Sequence, residues 1–267
     1  MPTTMSLRRR HLCTALAASA LLASPLAFAQ SALDEVMKVK LIKIAVPTDY
    51  PPYGFVGIDL KPQGLDIAMA QLIADRLGVK LEMVPVTSAN RIPYLQTRQV
   101  SLVISTLGKN EERLKVIDFS HAYAPFFQGV YASKELQIKS FADLGGKTIA
   151  VAKGAMEEQE LAKVGPATMN FKRYEDQAAT TAAFVAGQTQ ALATSVSNAG
   201  LMAQKNPRLN AEYKLLIKDS PCFIGIAKGE DALRNKVNEI ILAARKDGTL
   251  DRMSQRWLSR PAGELPL

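Results

Sequence analysis

A β-rich run, a helix-length apolar-periodic run and a second β-rich run occur twice along this chain, and this repetition limits its fold more than any other feature. Leu41-Ile-Lys-Ile-Ala-Val46 stops at Pro47 and the turn-forming Asp49-Tyr50-Pro51-Pro52. Gly64 opens a helical stretch in which Leu65, Met69, Leu72, Ile73 and Leu77 stand near helical spacing, and Gly78 closes it. Val79, Leu81 and Met83 alternate as a strand does, a short helix starts at Ser88, and residues 100–106 read as a buried strand. That order predicts an α/β half with a parallel sheet. The pattern restarts at residues 148–152 and runs to about Gln204. A return strand over 223–227 follows, then two helices over 231–246 and 250–258. Two such halves predict two lobes joined by two crossings, near 126–132 and 221–227. Lobe 1 is expected over 30–128 and 225–267, and lobe 2 over 129–224.

The first 29 residues read as a segment that is removed. Arg8, Arg9 and Arg10 precede the uncharged stretch 12–29, which ends in Ala27-Phe28-Ala29, so cleavage is expected after Ala29. The stretch is Ala- and Ser-rich and holds Pro25, which argues against a retained membrane anchor. Arg9-Arg10 is only a weak twin-arginine signal. The destination is the periplasm. Loss of three arginines lowers the formal net charge from +8 to about +5.

The remaining chain keeps one histidine, His121, and one cysteine, Cys222. It therefore has no internal disulfide and no plausible zinc, haem or iron–sulfur ligand set, so neither metal nor cofactor is expected. Gly146-Lys147-Thr148 invites a phosphate-loop reading, but Phe141 stands where that motif needs glycine. No catalytic motif is recognisable, and Lys and Arg are not clustered among aromatics, which argues against nucleic acid. The chain reads as a non-enzyme.

Residues 64–77, Gly-Leu-Asp-Ile-Ala-Met-Ala-Gln-Leu-Ile-Ala-Asp-Arg-Leu, resemble the bacterial extracellular solute-binding proteins of family 3, the polar amino-acid branch. Four further fragments follow in that family's order: Asp49-Tyr-Pro-Pro-Tyr53, Glu112-Arg113 with Asp118-Phe-Ser120, Asp143-Leu-Gly-Gly-Lys147, and Asp247-Gly-Thr-Leu250 through Trp257. Thr87-Ser-Ala-Asn-Arg-Ile-Pro93 resembles the glutamate/aspartate-binding members. The resemblance implies a two-lobe periplasmic-binding-protein fold that closes on a small anionic or zwitterionic solute and acts as a monomer. It also implies a membrane partner, the permease of an ABC importer. By motif position Arg113 would hold the main carboxylate, helped by Thr106 and backbone at Gly108. Ser88 and Arg91 would hold a second carboxylate, Tyr53 would cover the apolar face, and Asp49 lines the mouth. Gly154, Ala155, Met156, Gln177 and Ser195 face them from lobe 2. The bland alternative for Arg91 and Arg113 is a surface salt bridge to Glu111, Glu112 or Asp118. A cyclohexadienyl-dehydratase-like enzyme or a ligand-reporting sensor could share the scaffold.

The departures concern the ligand's amino group. The family's amino-acid binders place an aspartate where Ser195 stands, hydroxyls at Ala155, Met156 and Gly108, an aromatic at Leu65 and an acid at Ala68. A buried ammonium without a carboxylate costs several kcal/mol. Either Asp176, Glu175 or Asp49 takes that role, or the ligand is an amine-free organic anion.

Overall fold

In the computed structural model residues 31–267 are described, so the expected leader and its cut after Ala29 lie outside the described residues. Ser31 caps the first helix, α1 (Ala32–Val39), by accepting the Asp34 N–H at 3.2 Å. Strand β1 (Leu41–Val46) follows, then a small three-stranded sheet of β2 (Asp49–Tyr50), β3 (Gly54–Val56) and β4 (Pro62–Gln63). Next come α2 (Leu65–Leu77), β5 (Lys80–Pro85), α3 (Arg91–Gln96), β6 (Leu102–Leu107), α4 (Glu111–Leu114) and β7 (Ile117–Ala124). The chain then crosses at Pro125-Phe126 into β8 (Phe127–Ser133), β9 (Thr148–Ala152), α5 (Met156–Val164) and β10 (Asn170–Tyr174). There α6 (Gln177–Val185), β11 (Ala191–Ser195), α7 (Val196–Lys205) and β12 (Ala211–Asp219) complete lobe 2. A second crossing at Ser220-Pro221 returns to β13 (Cys222–Ala227), α8 (Asp231–Lys246) and α9 (Thr249–Leu258).

The parallel prediction holds for only part of each sheet. The first is ordered β5-β1-β6-β13-β7, and β13 runs antiparallel to both β6 and β7. The second is ordered β10-β9-β11-β8-β12, with β8 antiparallel to β11 and β12. The physical reason is the crossings: the chain leaves the first sheet along β7 and re-enters it along β13, and enters the second along β8 and leaves it along β12, so the outgoing and returning strands lie side by side in opposite directions. Both crossings sit at the start of the predicted ranges, and the rest of those ranges is strands β8 and β13.

Burial follows the side-chain period. β6 is buried at every position, as expected of a central strand covered on both faces. In lobe 2, Val130, Ile149, Val151 and Ala193 face one core, while their neighbours Tyr131, Ala150 and Leu192 face another on the opposite side of the sheet. Lobe 1 has one continuous core, in which Met69, Ile73 and Leu77 of α2 pack with Ile42, Ile44 and Leu102. Gly64 begins α2 at φ +132, where a side chain would strike the Tyr53 carbonyl. Among the described residues no helix is long and apolar enough to cross a membrane.

Candidate ligand site between the lobes

Arg91 is the first residue of α3, and its buried side chain donates from Nη2 to Ser88 Oγ at 2.8 Å. Arg113 sits in the single turn of α4, whose start Asn110 caps by accepting the Arg113 N–H at 2.9 Å. Its Nη1 donates to the Gly108 carbonyl at 2.9 Å and its Nη2 reaches across to the Gly154 carbonyl at 3.2 Å. Both arginines are buried, and the Nε of each has no hydrogen-bond partner. Burial and the neighbouring Arg91 pull Arg113 down to about 10, still protonated at neutral pH. Burial also lowers Arg91, against the pull of Glu157 and Asp49. The surface salt-bridge reading is thus excluded: Asp118 pairs with Lys228 and Arg234, and Glu112 with Lys115.

The other residues singled out from the sequence lie in the same region, several with contacts different from those expected. The Thr106 N–H does not point to a ligand; it donates to Asp66 Oδ2 at 2.8 Å, and Thr106 itself has φ +43. Gly108 contributes a carbonyl that aims Arg113, and a side chain there would come within 2.7 Å of Met156 Cε. Half-buried Asp49 accepts the Gln177 N–H at 2.6 Å, so its carboxylate bridges the lobes at the N-terminus of α6. Burial raises its pKa, and that same N–H opposes the rise. Tyr53 is buried beside Tyr50 and Phe126, with ring centroids 5.4 and 5.1 Å away. Ser195 caps α7 by accepting the Asn198 N–H at 3.1 Å. Gly154, at φ +74, brings lobe 2 so close that a side chain there would stand 3.0 Å from Ala89 Cα. Ala155 and Met156 are buried at the start of α5.

Three residues were not identified from sequence. The Tyr50 hydroxyl lies 3.1 Å from Thr194 Oγ1 and accepts the Ser195 N–H at 2.9 Å, making it the aromatic that bonds across the cleft. Gln128, opposite Ser195 in the sheet, is fully buried with neither side-chain polar atom partnered. Glu157 follows Met156 in the first turn of α5 and is 4% exposed. The doublet Glu157-Glu158 just after Gly154 was the available signal, since acids favour a helix N-terminus. Glu158 does turn back to accept the Gly154 N–H at 2.8 Å, whereas Glu157 turns inward.

The family model described as "Bacterial extracellular solute-binding proteins, family 3" matches residues 42–260. The chain belongs to this family. This solute-binding protein is 31% identical to the ABC transporter glutamine-binding protein GlnH of Bacillus subtilis (strain 168), over 76% of this chain and 75% of that one. It is 27% identical to the L-cystine-binding protein TcyJ of Escherichia coli (strain K12), over 84% and 85% of the two chains. Among solved structures, an ancestral arginine-binding protein bound to arginine superposes with a TM-score of 0.77 at 31% identity, over 82% of this chain and 98% of that one. The two-lobe periplasmic-binding fold is therefore established for this protein. Its relatives are binding proteins rather than enzymes. To Asp176, Glu175 and Asp49, the acids named from the sequence, the structure adds Glu157, a buried carboxylate of lobe 2.

Proposed function

We propose that this solute-binding protein is the capturing component of an ABC importer in the periplasm, and that it closes its lobes on a polar amino acid or a close carboxylate relative. The observation that carries this reading is the pair of buried guanidiniums, Arg91 and Arg113, each with an Nε–H left without a partner in the region where the lobes meet. A planar guanidinium suits a carboxylate because two of its N–H groups match two oxygens. Residues 30–128 with 225–267, and residues 129–224, are taken as the two closing bodies. Named relatives bind glutamine, cystine and arginine. Ser88 with Arg91 keeps glutamate and aspartate in the same set, because a second carboxylate can sit on the second guanidinium.

The test is a thermal-shift screen of the exported protein after unfolding and refolding to strip carried-over ligand. The panel holds L-glutamine, L-cystine, L-arginine, L-glutamate, L-aspartate, glutarate and succinate. A ligand at about 100 times its dissociation constant adds about 2.7 kcal/mol. For a chain of this size that raises the melting temperature by roughly 5–10 °C. A flat response to every member of the panel would sink the reading.

A further inference from the structure

Glu157 is a buried carboxylate at the start of α5 whose hydrogen-bonding capacity is not filled. Its Oε1 is buried and unpartnered, and among the described residues it joins no ion pair. The charged groups that act on it are the two arginines of the opposite lobe, Arg91 and Arg113, with the Tyr50 hydroxyl beside it. Two cations and an acid thus face one region without closing directly on each other. Such a region fits a solute that carries both signs: a carboxylate for the arginines and a cationic nitrogen for the acid.

The other acids that could hold that nitrogen are committed elsewhere. Asp176 caps α6 through the Ala179 N–H at 2.7 Å. Glu175 is exposed and paired with Lys153 at 3.4 Å. Asp49 accepts the Gln177 N–H, and Ser195 caps α7. Burial pushes the Glu157 carboxyl upward while its own backbone N–H, Arg91, Arg113 and the Tyr50 hydroxyl pull it back, so an incoming cation would add to the pull toward the ionised form.

We infer that Glu157 holds the ammonium group of the ligand, in place of the aspartate missing at Ser195, and so restricts the cleft to amine-bearing carboxylates. This inference rests on the capture reading above and narrows it to α-amino acids. It revises the amine-free option left open by Ser195.

The experiment compares the wild-type protein with Glu157→Gln and Glu157→Asp by calorimetric titration. L-glutamate is paired with glutarate and L-aspartate with succinate, which differ by the amine alone; L-glutamine, L-arginine and L-cystine complete the panel. The wild type should bind at least one amino acid and reject the amine-free acids. Glu157→Gln should weaken amino-acid binding by about 30-fold or more, as expected when one partner of a buried charge pair is lost. Glu157→Asp should recover part of that loss. A merely structural role would weaken both members of a pair alike, so a shift in the ratio of amino acid to amine-free acid is the decisive readout. Unchanged amino-acid affinity in Glu157→Gln, or wild-type binding of amine-free acids alone, would overturn the assignment while leaving capture intact. Binding of no panel member by the wild type would overturn both.

Discussion

Lobe 1 meets the cleft with two guanidiniums that its own chain has already aimed, Arg91 on Ser88 and Arg113 on Gly108. Lobe 2 meets it with Ala155, Met156, Ser195 and the buried acid Glu157. Much of what lobe 2 adds is main chain: the Gly154 carbonyl, the Gln177 N–H and the Ser195 N–H all bond to lobe-1 side chains. Lobe 1 therefore presents a pair of pre-aimed cations, and lobe 2 covers them largely with backbone that completes the contacts. A cover of that kind can exchange its side chains without losing closure, because the cross-lobe bonds at Gly154, Gln177 and Ser195 come from the main chain.

The strongest way to break the contrast is to remove the aimed charge. Arg113→Ala deletes the contact to Gly154 as well as the guanidinium, and leaves Glu157 with one neighbouring cation instead of two. Ligand affinity is expected to fall by about 100-fold or more, corresponding to about 3 kcal/mol for truncating one side of a desolvated charge pair. Titration calorimetry checks this. Retention of affinity within about threefold would show that the lobe-1 receptor is Arg91 alone.

A second test concerns how lobe 1 is held rigid. Asp66, at the start of α2, is fully buried and accepts the Tyr123 hydroxyl at 2.7 Å and the Thr106 N–H at 2.8 Å, tying α2 to β6 and β7. Burial raises its pKa from 3.8 to about 7 despite those bonds. A folded-state pKa above the unfolded one means that the folded state binds more protons between those values. The contribution is therefore fully present below about pH 4 and is lost as pH rises through 7. Asp66→Asn keeps a neutral side chain of similar shape, so the wild type should lose a few kcal/mol relative to the variant between pH 4 and 8. Denaturant titrations of both proteins across that range check it, and parallel curves would refute it.

What could be read from the sequence divides along the same line between local and cross-lobe features. β1, α2, β9 and α8 match the predicted runs because each carries its own periodicity and stop signals, such as Pro47 and Gly78. β12 has no such signal: it is an edge strand carrying Glu212, Lys214 and Lys218, with irregular pairing after Tyr213 and Leu216. β7 and β8 were hidden for a related reason, since antiparallel partners from distant positions decide which of their residues are buried. In the site, Arg91 and Arg113 could be found from motif position. Tyr50 and Glu157 could not, because what marks them is contact or facing charge from the other lobe, 144 residues away for Tyr50 and Thr194. Asp66 stands within the helix signature at residues 64–77, but its hydrogen-bond donor Tyr123 lies 57 residues further on.

The mildest test sharpens the idea of lobe 2 as a cover. Asn198, in the first turn of α7, donates from Nδ2 to the Pro51 carbonyl of lobe 1 at 2.9 Å, while its own N–H stays with Ser195. Asn198→Ala removes one cross-lobe hydrogen bond and leaves the helix cap in place. A typical net worth of about 1 kcal/mol predicts roughly fivefold weaker ligand binding. Because this bond joins the two lobes, it belongs to the closed form. The change should therefore fall on dissociation rather than association, the usual pattern for interface variants. Stopped-flow measurement of both rates separates the cases. A slower association with unchanged dissociation would mean that Asn198 acts before closure, and that lobe 2 shapes the receptor instead of covering it.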